Sequence, residues 1–154
     1  MSEVALVDRE GEGLDTSRTV RLRVPARPEY IALTRLALSG LAELAALSEE
    51  DVADLKLALT EAVSNSVRHA YPGGDGFVSV SYELTASALQ IEVVDDGAGF
   101  DDPAVPAPLD GEELSEGGLG IAIIRTVADE VEITSRLGER GSRLRFLKRL
   151  QPTA

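Results

Sequence analysis

The chain has 154 residues, of which 27 are Asp or Glu and 15 are Lys or Arg, for a formal net charge of −12. That balance repels a phosphate backbone and argues against nucleic acid as a partner. With no cysteine and a single histidine, disulfides, thiolate metal sites, Cys nucleophiles and multi-His zinc centres are excluded.

Residues 1–17 are rich in Gly, Asp and Glu without periodicity and read as a flexible leader. They hold no apolar core segment of a signal peptide, and no apolar run in the chain approaches membrane-spanning length. The expectation is a cytoplasmic protein with no membrane partner and one domain over residues 18–150. Val20, Leu22 and Val24 alternate with Arg21 and Arg23, the pattern of a half-buried strand ending at Pro25. Over residues 28–47, Leu33, Leu36, Ala37, Leu41 and Leu44 recur at helical spacing. Ser48-Glu49-Glu50-Asp51 marks a second helix start, with a capping side chain and an acidic first turn. That helix runs through Val52, Leu55, Leu59, Ala62, Val63 and Ser66 toward Tyr71, until Pro72-Gly73-Gly74-Asp75-Gly76 turns the chain.

Val78-Val80-Tyr82-Leu84 and Leu89-Ile91-Val93 alternate as neighbouring antiparallel strands. Asp95-Asp96-Gly97-Ala98-Gly99 breaks the second one, and the Pro- and acid-rich stretch 100–116 reads as a mobile loop. Gly117-Gly118-Leu119-Gly120 opens a third helix to about residue 128, followed by strands at 131–136 and 142–147. The order predicts an α+β fold, a mostly antiparallel sheet with helices on one face.

Four segments carry side chains or backbone suited to chemistry. Glu61, Asn65 and His69 stand at i, i+4 and i+8, one column on a face distinct from the apolar stripe. A solvated polar face explains that column, but Asn is a poor helix former. Its amide oxygen can ligate a hard cation while a nearby Glu accepts a proton. Asp95, at a strand end before Gly97 and Gly99, is either a tight turn or a carboxylate that reads a donor such as an exocyclic adenine amine. Gly117, Gly118 and Gly120 at a helix start are a hinge or a set of free N–H groups for phosphates. No GxxxxGK[ST] occurs, and the glycines follow a loop rather than a strand, so neither a P-loop nor a Rossmann turn is present. Gly141-Ser142 at the last strand reads, alone, as a hairpin pair.

Taken in order, these segments resemble the N, G1, G2 and final Gly-Thr boxes of the GHKL ATPases, over nearly all of residues 18–148. LALTEAVSNSVRHAY (57–71), VVDDGAGFD (93–101) and EGGLGIAIIRTVADEVEI (116–133) are most similar to the anti-sigma factor serine kinases of the RsbW and SpoIIAB type. The resemblance implies a Bergerat-type α/β sandwich, a mixed, mostly antiparallel sheet covered on one face by helices. It implies an ATP/ADP site with Mg²⁺, in which Glu61 is the catalytic base, Asn65 the metal ligand and His69 part of the same box. Asp95 would accept from the adenine amine in a pocket shaped by Gly97 and Gly99. Gly117, Gly118, Leu119 and Gly120 would meet the phosphates beneath a lid at 100–117, and Ser142 would join the adenine-side polar network. Implied partners are a sigma factor and an anti-anti-sigma (STAS) protein whose Ser or Thr is phosphorylated, with the kinase itself a homodimer. A nucleotide-dependent partner-binding regulator without kinase activity is the alternative. Two positions depart from the pattern: Ser142 stands for the usual Thr, and Glu116 stands where some members carry an Arg that reaches the terminal phosphate.

Overall fold

The computed structural model describes residues 3–8, 18–45, 47–69, 76–95, 116–135 and 141–150. Its strands are β1 (Glu3–Asp8), β2 (Arg18–Pro25), β3 (Phe77–Leu84), β4 (Ala88–Asp95), β5 (Glu130–Ser135) and β6 (Ser142–Arg149). Its helices are α1 (Ile31–Ala45), entered through a 3-10 turn at Pro28–Tyr30, α2 (Glu49–His69) and α3 (Glu116–Val127). The expected loop at 100–116 lies outside the described residues up to 115, and Glu116 is already helical.

The strands form one sheet in the order β1-β2-β3-β4-β6-β5, and every pairing is antiparallel. The chain crosses over from β4 through α3 to β5, a connection that leaves the two strands parallel in direction. β6 then doubles back between them, so the two never meet as neighbours. β1 falls inside the segment read as a flexible leader. Glu3 to Asp8 pairs residue by residue with Arg23 to Arg18, so the short run Val4-Ala5-Leu6-Val7 finds its order in a partner strand rather than in its own pattern.

Alternation along the strands decides which face is covered. Leu22 and Val24, then Val78, Val80, Tyr82 and Leu84, then Leu89, Ile91 and Val93, then Leu144 and Phe146 all turn to one side and are buried. Leu38 and Leu41 of α1, Leu55, Ala58, Leu59, Ala62 and Val63 of α2, and Ile124 of α3 complete the core against them. The opposite face is polar. There Arg143 pairs with Glu92, Arg145 with Glu132 and Arg149 with Glu130, surface pairs of small individual worth.

The helices are tied down by specific polar contacts. Ser48 Oγ accepts from the N–H of Asp51 at 3.1 Å, as the capping reading predicts. Lys148, on the far part of β6, donates to the Val127 carbonyl at 3.0 Å and lies 3.5 Å from Asp54 and 3.9 Å from Asp51. One half-buried ammonium thus fastens the start of α2 and the end of α3 to the same corner. Its position also suits the negative end of the α3 dipole.

α1 departs from its expected pattern. Its buried positions are Thr34, Leu38, Leu41 and Ala42, while Leu33, Leu36 and Leu44 face outward. The helix is apolar on two sides because the core takes one stripe and leaves the other.

Tyr82 joins the layers: fully buried on β3, its hydroxyl donates to the Thr34 carbonyl of α1 at 2.7 Å. Burial raises its phenol well above the ordinary value of about 10. The folded state therefore holds that proton more tightly than the unfolded state. The resulting stabilisation is complete below pH ~10 and declines above it as the unfolded chain ionises. Tyr82→Phe should cost about 1 kcal/mol at neutral pH for the lost hydrogen bond. It should also flatten the fall in stability above pH ~10, read from urea unfolding across pH.

Candidate active site

The corner fastened by Lys148 fixes which end of the sandwich carries the polar side chains. Lys148 lies six residues along β6 from Ser142, about 20 Å of strand. From Asp54, near that corner, α2 runs toward Glu61 and Asn65 and ends at His69. α3 ends at Val127 near Lys148, so Gly117, Gly118, Leu119 and Gly120 occupy its opposite end. The segments singled out in the sequence therefore gather at the end of the sheet where β4 finishes and β6 begins.

Asn65 is 3% exposed, and its side-chain Oδ1 has no hydrogen-bond partner among the described residues. The apolar stripe of α2 brings it there: Ala62 and Val63 bury against the sheet, and the next turn carries Asn65 and Ser66 inward. A buried acceptor left unpaired costs about 1–3 kcal/mol. An amide oxygen is a hard donor of the kind that Mg²⁺ takes, so this residue fits a cation ligand. Among the described residues, no cluster of three or more His, Cys, Asp or Glu could hold a metal. Asn65 would be one ligand within a sphere completed from elsewhere.

Glu61, one turn earlier, is half-buried between α2 and α3. Its Oε2 lies 3.0 Å from where a Cβ on Gly120 would stand. Gly120 is buried, and the missing side chain leaves the space that the Glu61 carboxylate uses. This contact joins the N-box and G2-box segments directly. Sequence reading missed it, because it assigned Gly120 only to a backbone role; the single clue was a glycine inside an otherwise regular helix.

Asp95 is the last residue of β4 and is buried; Ser142, its cross-strand neighbour on β6, donates to Asp95 Oδ2 at 2.7 Å. Hydroxyl-to-carboxylate bonds of this length are charge-assisted and stronger than neutral ones. Gly141, with φ of 117°, sets up the approach into β6, a conformation that strains any residue with a Cβ. The hairpin pair of the sequence is thus half of a buried polar contact. His69 is the final residue of α2; Tyr71, Gly97 and Gly99 lie outside the described residues, as does the expected lid up to residue 115.

This arrangement brings together a buried carboxylate steadied by a hydroxyl, an orphaned amide oxygen, and a glycine-rich helix start packed on a second carboxylate. A model of the histidine kinase-like ATPase domain matches residues 24–148, and the chain belongs to that family. The serine-protein kinase RsbW of Listeria innocua is 39% identical over 122 residues, covering 74% of this chain and 78% of its own. The serine-protein kinase RsbW of Bacillus pumilus is 36% identical over 145 residues, covering 88% and 90%. Within the family, the chain belongs with these RsbW serine-protein kinases. Among solved structures, the RsbU and RsbW domains of a Mycobacterium tuberculosis protein superpose with a TM-score of 0.62 at 21% identity, over 87% of this chain and 33% of that one. A histidine kinase domain from Erythrobacter litoralis gives 0.52 at 20% identity, over 82% and 62%. These two likenesses concern the fold.

Gly120→Ala should push the Glu61 carboxylate aside by a few tenths of an ångström. Because a flexible side chain can yield, the melting temperature should stay within about 3 °C of wild type, while any activity that uses Glu61 falls. Ser142→Ala should destabilise the chain by about 1–3 kcal/mol, since it strips a partner from a buried carboxylate. Ser142→Thr, which keeps the hydroxyl, should recover most of that loss in urea unfolding.

Proposed function

We propose that the chain is an ATP- and Mg²⁺-dependent protein kinase and anti-sigma factor that phosphorylates a Ser or Thr of an anti-anti-sigma (STAS) protein. By that transfer it sets how much sigma factor is free. The observation that carries the reading is the buried, unpaired Oδ1 of Asn65, held at the same end of the sandwich as Asp95 and the glycine-rich helix start. A buried acceptor of this kind calls for a group that completes it, and an amide oxygen suits a hard cation. We further assign it to the cytoplasm, as a homodimer; no helix among the described residues is long and apolar enough to cross a membrane.

In this reading Asp95 accepts from the adenine amine, and Ser142 holds that carboxylate in place. Gly97 and Gly99 shape the adenine pocket, and His69 closes the N box at the end of α2. Backbone N–H groups at Gly117, Gly118, Leu119 and Gly120 face the phosphates at the positive end of α3. Asn65 binds Mg²⁺, which supplies charge neutralisation for the phosphates; with 27 acids against 15 bases, the chain has little positive charge of its own to offer. Glu61 takes the proton from the substrate hydroxyl. The hydroxyl oxygen then bonds to the γ-phosphorus, the bond from that phosphorus to the β–γ bridging oxygen breaks, and ADP leaves with the electron pair. Positioning and electrostatics dominate such transfers, which suits a site built from rigid helix and strand ends.

Two substitutions separate binding from chemistry. Asp95→Asn should lower ATP affinity by about 1.5–3 kcal/mol in calorimetry, because the charged acceptor is lost in a buried setting. Glu61→Gln should leave that affinity nearly intact and slow phosphate transfer by roughly 10²–10⁴-fold. Asp95→Asn binding ATP as wild type does would sink the nucleotide reading. Wild type and Glu61→Gln equally inert toward every partner, with binding retained, would leave a nucleotide-dependent partner-binding regulator instead.

The role of Asn65 has its own measurement. ATP titrated with and without a chelator should show clearly weaker binding in the chelated sample, and Asn65→Ala should erase the difference. Equal affinity in both conditions for wild type removes Asn65 as a metal ligand.

A further inference from the structure

The uncovered face of the sheet carries a hollow that belongs to none of the four segments described above. Its volume is about 150 Å³, and it is lined by Thr19 and Arg21 of β2, Ser81 and Glu83 of β3, and Gln90 and Glu92 of β4. Alternation puts these side chains away from the helices, because their neighbours Leu22, Val80, Tyr82, Ile91 and Val93 are buried in the core. The strand register sets them in two rows. Arg21, Ser81 and Glu92 stand directly across from one another, as do Thr19, Glu83 and Gln90. Short Ser81 between two long side chains makes the depression.

The charges around the hollow do not satisfy one another. Among the described residues, Arg21 and Glu83 enter no ion pair, while Glu92 lies 3.7 Å from Arg143 on its far side. Diagonal neighbours elsewhere on this face do close, Arg143 with Glu92 and Arg149 with Glu130. Both of those diagonals lean the same way across the sheet, whereas the one from Arg21 to Glu83 leans the other way. Sheet twist draws one set of diagonals together and parts the other. The guanidinium and the carboxylate are therefore held apart, with the hollow between them. Its size decides what could fill it: about five waters' worth of space, well below the ~300 Å³ at which pockets for drug-sized ligands begin. A lone carboxylate there would meet Glu83 as well as Arg21, and a lone amine would meet Arg21 as well as Glu83. A small ligand that carries both charges matches both walls.

We propose that this hollow binds a small free α-amino acid, its carboxylate on the Arg21 guanidinium and its ammonium on the Glu83 carboxylate. Charge-assisted bonds of that kind are the stronger sort of polar contact. Thr19, Ser81 and Gln90 supply neutral donors and acceptors between the two ends, and Glu92 adds negative charge on the ammonium side. The site stands apart from the nucleotide reading, since it lies across the sheet from α2 and α3.

Titration of the isotope-labelled full chain with glycine and with L-alanine, followed by amide NMR shifts at constant ionic strength, tests it. The shifts should centre on β2, β3 and β4 and saturate with a Kd on the order of a few millimolar. Acetate and methylamine, each carrying one of the two charges, should give no saturable shift over the same range. Arg21→Gln and Glu83→Gln should each weaken glycine binding at least tenfold with the fold retained, since both side chains are exposed. Arg149→Gln, on the same face but outside the hollow, should leave binding unchanged. Shifts that never saturate, or that acetate or methylamine reproduces, overturn the proposal. A loss in Arg149→Gln as large as that in Arg21→Gln also overturns it, because a diffuse surface field then accounts for the binding.

Discussion

An amide oxygen carried into the interior without a partner works against the stability of its own chain. Asn65 has to be buried, because it lies one turn beyond the residues that pack α2 onto the sheet, and nothing described around it completes its oxygen. The core of Leu55, Ala58, Leu59, Ala62 and Val63 offsets that cost and also aims the residue. Other polar features follow from the same rotation of α2. Once its apolar stripe is turned to β3, β4 and β6, Glu61 has to lie between α2 and α3. The approach of α3 is then limited by whatever occupies position 120. A side chain there would force the carboxylate or the helix to move, so the glycine is a consequence of where Asn65 sits.

The strand side of the site obeys a second constraint. Asp95 ends β4 facing inward because the alternation that buries Leu89, Ile91 and Val93 reaches it in phase. A buried carboxylate needs donors. The antiparallel register of β4 and β6 places Ser142 directly opposite to give one. Gly141, in a backbone conformation few residues adopt, brings the chain into that register. The hydroxyl at position 142 is therefore a matter of strand geometry: it completes the buried carboxylate directly across from it.

Much of this was legible in the residues. Period-two alternation located β2, β3 and β4, and the capping serine with its acidic turn located the start of α2 almost to the residue. β1 was not legible. Val4-Ala5-Leu6-Val7 has no alternation and sits among acids, and its order comes from pairing with β2, a non-local contact. The division of α1 was hidden for a related reason: Leu33, Leu36, Leu41 and Leu44 share a helical period, but only packing decides that Leu41 is inside and the others outside. Glu61 and Asn65 stood out by their spacing on one helix and Asp95 by its place before a glycine-rich turn, while Ser142 entered only through the family resemblance. Their states were not legible: an orphaned oxygen, a carboxylate against a glycine and a charge-assisted cross-strand bond are properties of three or more elements together.

Lys148 gives the site a mechanical setting. By joining the start of α2, the end of α3 and the far part of β6, it makes that corner a pivot and leaves the opposite helix ends as lever arms. Eleven residues separate Asp54 from Asn65, an arm of about 16 Å, over which a tilt of ~4° displaces the amide oxygen by roughly 1 Å. If Asn65 holds the metal as proposed, misplacement on that scale would cost transfer chemistry on the order of 10²-fold. The stiffness of one half-buried ion cluster, some 20 Å of strand from Ser142, therefore limits the aim of the residues at the other end.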